Sequence, residues 1–168
     1  MITSAKIEDT TGLTLLINSA YRGETSKKGW TTEATILEGS RTNKTEILEI
    51  IKDSKQNLLK FTDDKTILGC VLLIEKESKL YLGMLTVSPE LQNSGIGKKL
   101  LAAAEDHANQ LRLKRIVMTV ISIRKELIEW YERHGYQDTG EREAFPVSDI
   151  HIPIVDEQLE FMVLEKGL

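Results

Sequence analysis

Apolar positions near the start of the chain recur every three or four residues, the period of a helix with one buried face. Leu13, Leu16, Ile17 and Ala20 set that stripe in "TGLTLLINSAYR". A short strand in "ITSAKI" (Ile2 to Ile7) precedes it, with Asp9 or Thr10 as the helix cap. The period then lapses. "GETSKKGWTTEATILEGS", from Gly23 to Ser40, is polar, contains glycine and is centred on Trp30. It resumes in "TNKTEILEIIKDSK", where Thr42 or Asn43 caps a helix with Ile47, Leu48, Ile50 and Ile51 on its apolar face.

Strand patterns follow. "NLLKFTDD", "TILGCVLLIEKES" and "KLYLGMLTVS" succeed one another with turn residues between them, an antiparallel meander. "GKKLLAAAEDHANQLRL" returns to a helix, with Leu100, Leu101, Ala104, Ala108 and Leu111 on one face. "RIVMTVIS" reads as a buried strand, and "RKELIEWYERH" as a helix that Gly135 closes. Two strands, near "YQDTGEREAF" and "LEFMVLEK", end the chain. The predicted order is β-α-α-β-β-β-α-β-α-β-β, about seven strands and four helices. A strand–helix–strand crossover at the end of a meander gives a mixed α+β sheet.

Composition narrows the class. The 168 residues suffice for one domain, 1–168, and no linker or repeat divides them. Apolar residues at 40% and charged residues at 29% are those of a soluble globular protein. A net charge of −4 with no clustered basic face argues against nucleic acid. Cys70 is the only cysteine, so neither an internal disulfide nor a cysteine-based zinc site is available. Within "ILGCVLLI" it reads as a small buried hydrophobe. His107, His134 and His151 are scattered without ligand spacing, and no metal is expected. His134 reads as a complement to a helix C-terminus, and His151 as a surface-loop histidine or one that approaches an acceptor pocket. No stretch approaches the roughly 20 apolar residues of a membrane span. The N-terminus lacks a signal core, so a cytoplasmic protein is expected.

The candidate chemistry lies in "VSPELQNSGIGKKLL", Val87 to Leu101, where a strand gives way to a helix through a glycine turn. A P-loop is excluded, because Gly95 and Gly97 are too close and Lys98 precedes Lys99 rather than Ser or Thr. A dinucleotide turn is excluded as well: Leu100 stands where the third glycine belongs, and the next strand ends in Ser122 rather than an acid. What remains is a set of backbone amides from about Gln92 to Lys98 at a helix N-terminus, suited to a pyrophosphate. Gly95 and Gly97 permit positive φ and close approach. An ordinary strand-to-helix turn would read the same way on these residues alone.

The sequence resembles the GNAT superfamily of N-acetyltransferases. Val87, Pro89, Gln92, Gly95 and Gly97 stand in register with that family's glycine-turn signature, [Q/R]-x-x-G-x-[G/A] after Val-x-Pro. Downstream, Tyr131, Gly135 and Tyr136 in "IEWYERHGY" match its second element. The likeness is strong over about residues 67 to 137 and topological elsewhere. It implies acetyl-CoA in a V-shaped opening between the last meander strand and the strand after the crossover helix. Gln92, Asn93, Ser94, Gly95, Ile96, Gly97 and Lys98 would hold the pyrophosphate. Backbone groups of Leu85 and Val87 would pair with the pantetheine arm as a borrowed strand does. Tyr131 would serve as general acid or orient the thiolate.

The sequence departs from the family in two places. Arg124 stands where many members carry an asparagine. Beside Ser122 it would meet phosphate or adenosine, or simply begin a solvated helix. "LYLGMLTV" has no acid where several members place a base. The stretch from Tyr21 to Arg41, around the aperiodic segment, is the candidate acceptor wall, with Tyr21, Arg22, Trp30, Glu33 and Arg41. Glu33 would bind or deprotonate an amine, and Arg22 or Arg41 would hold a carboxylate. The resemblance therefore implies an acetyl-CoA-dependent N-acetyltransferase acting on a small-molecule or peptide amine in a ternary complex. It needs neither metal nor membrane, and a homodimer is common in the family. A non-catalytic acyl-CoA-binding module, or a transferase of a longer acyl group, fits the same residues.

Overall fold

In a computed structural model, described over residues 1–146 and 151–168, seven strands form one mixed sheet in the order β1-β3-β4-β5-β6-β9-β7. The strands are β1 (Ile2–Ser4), β3 (Gln56–Asp63), β4 (Thr66–Lys76), β5 (Lys79–Val87), β6 (Arg115–Ile121), β7 (Gln137–Ala144) and β9 (Glu160–Gly167). Two short strands, β2 (Leu37–Glu38) and β8 (Ile152–Pro153), pair separately. The helices are α1 (Thr10–Tyr21), α2 (Gly23–Ser26), α3 (Lys44–Lys52), α4 (Ile96–Gln110) and α5 (Lys125–Arg133). The expected mixed α+β class and the order of the main elements hold. The structure adds α2 and the β2–β8 pair, and it inserts β9 between β6 and β7.

Alternation along the strands sorts the core onto two faces. Leu58, Cys70 and Leu72 meet Leu13, Ile17, Ala20, Ile47 and Ile50 of α1 and α3. Leu59, Val71 and Leu73 meet Leu100, Leu101, Ala104 and Ala108 of α4. Cys70 is fully buried there, and burial pushes its thiol up to about 12, so it stays protonated as a packing residue. Local capping follows the residues in part. Asn43 caps α3 by accepting from the amide of Glu46 at 2.9 Å. Asp9 precedes α1 but makes no side-chain cap; its carboxylate accepts from Lys60 Nζ at 2.7 Å.

The feature that positions a site lies in β5. Leu80 and Leu82 face the α4 side, yet Met84, which alternation would place with them, packs on the opposite face. A bulge accounts for this. Register passes from Leu72↔Gly83 to Cys70↔Thr86, and Met84 has φ +49°. β5 pairs with its parallel neighbour β6 only at Leu80↔Ile116 and Tyr81↔Val117. Beyond Tyr81 the two strands part, leaving a cleft open toward their C-terminal ends. Among the described residues, no helix is long and apolar enough to cross a membrane.

Candidate active site

The glycine turn follows directly from the end of β5. Pro89–Leu91 makes a single tight turn, and α4 starts at Ile96 with Gly95 at its cap in the left-handed region, φ +85°. Asn93 is also left-handed, φ +71°. No side chain caps this helix. The amides of Ile96, Gly97 and Lys98 therefore have no intrahelical acceptor and concentrate positive potential at the helix end. These three residues line a cavity of about 280 Å³. Ser94 does not join them, because its amide donates to the carbonyl of Leu91 at 3.2 Å.

The two glycines have different reasons to be glycine, and they divide the two roles expected of the pair: positive φ at Gly95 and close approach at Gly97. Gly97 is helical, and its constraint is space: a Cβ there would lie 3.2 and 3.3 Å from two carbons of the Trp130 indole. Gly97→Val should accordingly displace Trp130 into the cavity. Titration calorimetry with coenzyme A should show at least a roughly 100-fold loss of affinity, about 2.7 kcal/mol. Unchanged affinity would place the cofactor elsewhere.

The opposite wall of this cavity comes from the aperiodic segment. Trp30 packs against Trp130 with ring centres 6.2 Å apart, so it lies on the glycine-turn side and not on the acceptor side expected for it. The Gln92 side chain fastens this wall. Its amide nitrogen donates to Thr31 Oγ1 at 2.6 Å and to the Val87 carbonyl at 3.2 Å, and its oxygen accepts from the Thr31 amide at 3.1 Å. His134 lines the cavity too, and its Nδ1–H donates to the Trp130 carbonyl at 2.7 Å, the helix-end role expected of it. Free amides, an uncapped helix and a residue without a side chain together fit the pyrophosphate of coenzyme A.

A second cavity, of about 340 Å³, fills the cleft where β5 and β6 part. Its wall is an ion-pair network that joins segments far apart in sequence. Glu33 Oε1 accepts from Arg22 Nε at 3.1 Å, and Oε2 lies 3.5 Å from Arg124 Nη1. Side chains of Arg22, Glu33 and Arg124 are 5%, 9% and 10% exposed. Arg22 also donates to the carbonyls of Glu38 and Gly39, both at 3.3 Å. Arg124 donates to the carbonyl of Thr31.

This network draws Arg124 into the second cavity and away from the glycine turn, where a phosphate contact was expected. Ser122 lines neither cavity, and its amide donates to the carbonyl of Glu160 at 2.9 Å. Tyr21, Arg22, Glu33 and Arg41 do come together here as expected. So does His151, which lines this cavity, the second of the two readings made of it. Arg22 Nη2 lies 3.1 Å from its Nδ1. A guanidinium only donates, so Nδ1 accepts and the ring proton sits on Nε2. Burial, with Arg41 and Arg22 nearby, holds this imidazole below its ordinary value of 6.5 and therefore neutral at pH 7. Sequence reasoning missed Tyr81, Glu143, Phe145 and Phe161, all in the lining. Glu143 gave no positional signal, since every residue of β7 is exposed.

The two cavities share Tyr21, Leu85, Leu127 and Tyr131. Tyr21 donates its hydroxyl to the Leu85 carbonyl, so a strand-like ligand would meet that carbonyl already engaged. The Tyr131 side chain is buried, packed edge-on against Trp130 at 5.1 Å and Tyr136 at 5.8 Å. Among the described residues its hydroxyl makes no hydrogen bond, while it faces both cavities. Burial, helped by Tyr21 and Tyr136, pushes it well above its ordinary value of 10, so it stays an O–H donor at neutral pH.

The model of the GNAT acetyltransferase domain matches residues 28–148, more than half of the chain. No curated protein matches the sequence. Solved structures share the fold at low identity. The PaiA N-acetyltransferase of Thermoplasma acidophilum, in complex with coenzyme A, aligns with TM-score 0.71 and 19% identity over 100% of this chain and 98% of that one. The ribosomal-protein-S18-alanine N-acetyltransferase of Escherichia coli gives 0.72 and 12% over 99% and 92%. A GNAT-family acetyltransferase of Staphylococcus aureus gives 0.70 and 16% over 100% and 98%. The structural likenesses speak to the fold; the family match over the motifs and the cleft speaks to descent. This chain belongs to the GNAT acetyltransferases.

Proposed function

We propose that this protein moves an acetyl group from acetyl-CoA to the amine of a small molecule or peptide, by direct attack within a ternary complex. The observation that carries this reading is the junction of the two cavities at Tyr131. A donor laid on the glycine turn reaches the junction from one side, and an acceptor in the second cavity reaches it from the other. The neighbour crystallised with coenzyme A supports the assignment of the donor side.

The chemistry follows from the groups in place. A neutral amine nitrogen attacks the thioester carbonyl carbon, the new C–N bond forms, and the C–S bond breaks with its electron pair on sulfur. The nitrogen must shed a proton. Of the two carboxylates among the described lining residues, Glu33 has both oxygens facing guanidiniums, so its part is to hold the wall. Glu143 has no ion pair among the described residues and is the carboxylate free to accept the proton. Tyr131 donates a hydrogen bond to sulfur as charge gathers there. With its hydroxyl held well above 10 and an ordinary thiol near 8.5, full transfer from Tyr131 is uphill, so hydrogen-bond stabilisation is the larger part of its role.

The test is thiol release from acetyl-CoA across a panel of small amines and peptide N-termini. Acceptor-dependent release with an acetylated amine product is expected. Coenzyme A binding with no turnover of any acceptor would favour a binding module instead. Faster release from longer acyl-CoAs would move the donor assignment.

A further inference from the structure

We propose that the acceptor carries a carboxylate within a few bonds of its amine, as an amino acid does, and that Arg41 receives it. This rests on reading the second cavity as the acceptor side. Three guanidiniums line that cavity, and two are already committed. Arg22 bonds Glu33, His151 and two carbonyls; Arg124 bonds Glu33 and the Thr31 carbonyl. Arg41 is different. It is half-buried, lines the cavity, and among the described residues makes neither an ion pair nor a hydrogen bond. It stands over the face of Tyr21, with the guanidinium carbon 6.0 Å from the ring centre.

A partly desolvated guanidinium without a counterion is costly, and the cost is offset when a carboxylate arrives in the matching planar fork. Among the described residues, the lining offers no such carboxylate. Glu33 is bound between Arg22 and Arg124, and Glu143 makes no pair with Arg41. Among the described lining residues guanidiniums outnumber carboxylates, whereas the chain as a whole carries a net charge of −4. The local excess is therefore confined to the cleft. Burial and the field of Arg41 also keep His151 neutral, so the imidazole does not compete for the anion's counter-charge.

Position sets the separation of the two groups on the ligand. Tyr21 lies with Arg41 over its ring and its hydroxyl on the Leu85 carbonyl at the junction. A carboxylate at Arg41 is thus about one tyrosine ring from the place where the amine must react. That placement suits a ligand whose carboxylate and amine lie close together, as in an amino acid.

The test separates binding from turnover. With coenzyme A present, titration calorimetry compares N-acetyl amino acids, the acid products, with their carboxamides. A charge-assisted pair predicts that the acids bind about 10- to 100-fold more tightly. Arg41→Gln should bring the acids down to the carboxamides' affinity, and Arg41→Lys should keep part of the difference, having charge without the fork. Circular dichroism confirms that both variants fold. Equal affinities, no binding by any acid, or a preference that survives Arg41→Gln would overturn the assignment. Thiol release with neutral amines is scored separately. Release without carboxylate selectivity defeats only the Arg41 site, whereas selective binding without release from any amine defeats only the transferase reading.

Discussion

Replacing Tyr131 by phenylalanine should lower kcat about 100- to 1,000-fold while changing coenzyme A affinity by no more than a few-fold. The magnitude is that of losing one positioned proton donor at the reacting atoms. The asymmetry follows from the structure. The ring supplies the packing against Trp130 and Tyr136, and phenylalanine keeps the ring. The hydroxyl bonds nothing in the described protein, so its removal leaves no unsatisfied partner and should cost little stability. Tyr21 is the control, because its hydroxyl is spent on the Leu85 carbonyl. Single-turnover kinetics with saturating acetyl-CoA would measure the chemical step. An unchanged rate would remove Tyr131 from the mechanism.

Glu33→Gln should destabilise the fold by about 3 kcal/mol, the low end for breaking a buried ion pair. For a domain of this size that is a fall of roughly 10 °C in Tm. The loss is large because Arg22 and Arg124 stay buried once their shared counterion is gone, and a neutral amide replaces only part of the bonding. An exposed pair calibrates the claim. Glu90 and Lys28 are 3.2 Å apart but 69% and 59% exposed, and Glu90→Gln should change stability by less than about 0.5 kcal/mol. The Glu33 variant should also raise KM for the acceptor more than for acetyl-CoA, since the network walls only the second cavity. Thermal melts and two-substrate kinetics check both statements. Equal melting of the Glu33 and Glu90 variants would mean the network is structurally idle.

Local rules account for what was legible. The period of α1, α3 and α4, the Asn43 cap and the glycine turn are all decided by residues within a few positions of one another, and they stand where the pattern put them, except that α4 ends at Gln110 and leaves Leu111, expected on its buried face, exposed. The bulge was hidden because Leu80, Leu82 and Met84 keep an unbroken alternation, and methionine gives no hint of φ +49°. The acceptor wall was half legible. Tyr21, Arg22, Glu33 and Arg41 lie in or beside the aperiodic segment, and that lapse marked them. Their partners did not share it. Arg124 is 91 residues from Glu33, and His151 is 129 from Arg22, separations over which periodicity carries no information. Trp30 went to the other cavity because its best aromatic partner, Trp130, is on α5 beside the glycine turn.

The central claim is that donor and acceptor are held together and meet at Tyr131. Initial velocities of thiol release, with acetyl-CoA and a turned-over amine both varied, address it directly. Intersecting double-reciprocal lines are the expected result, because both ligands must be bound before the C–N bond forms. Parallel lines, with an acetylated protein detected by intact mass, would mean that the acyl group rests on the enzyme and would contradict the direct transfer described here.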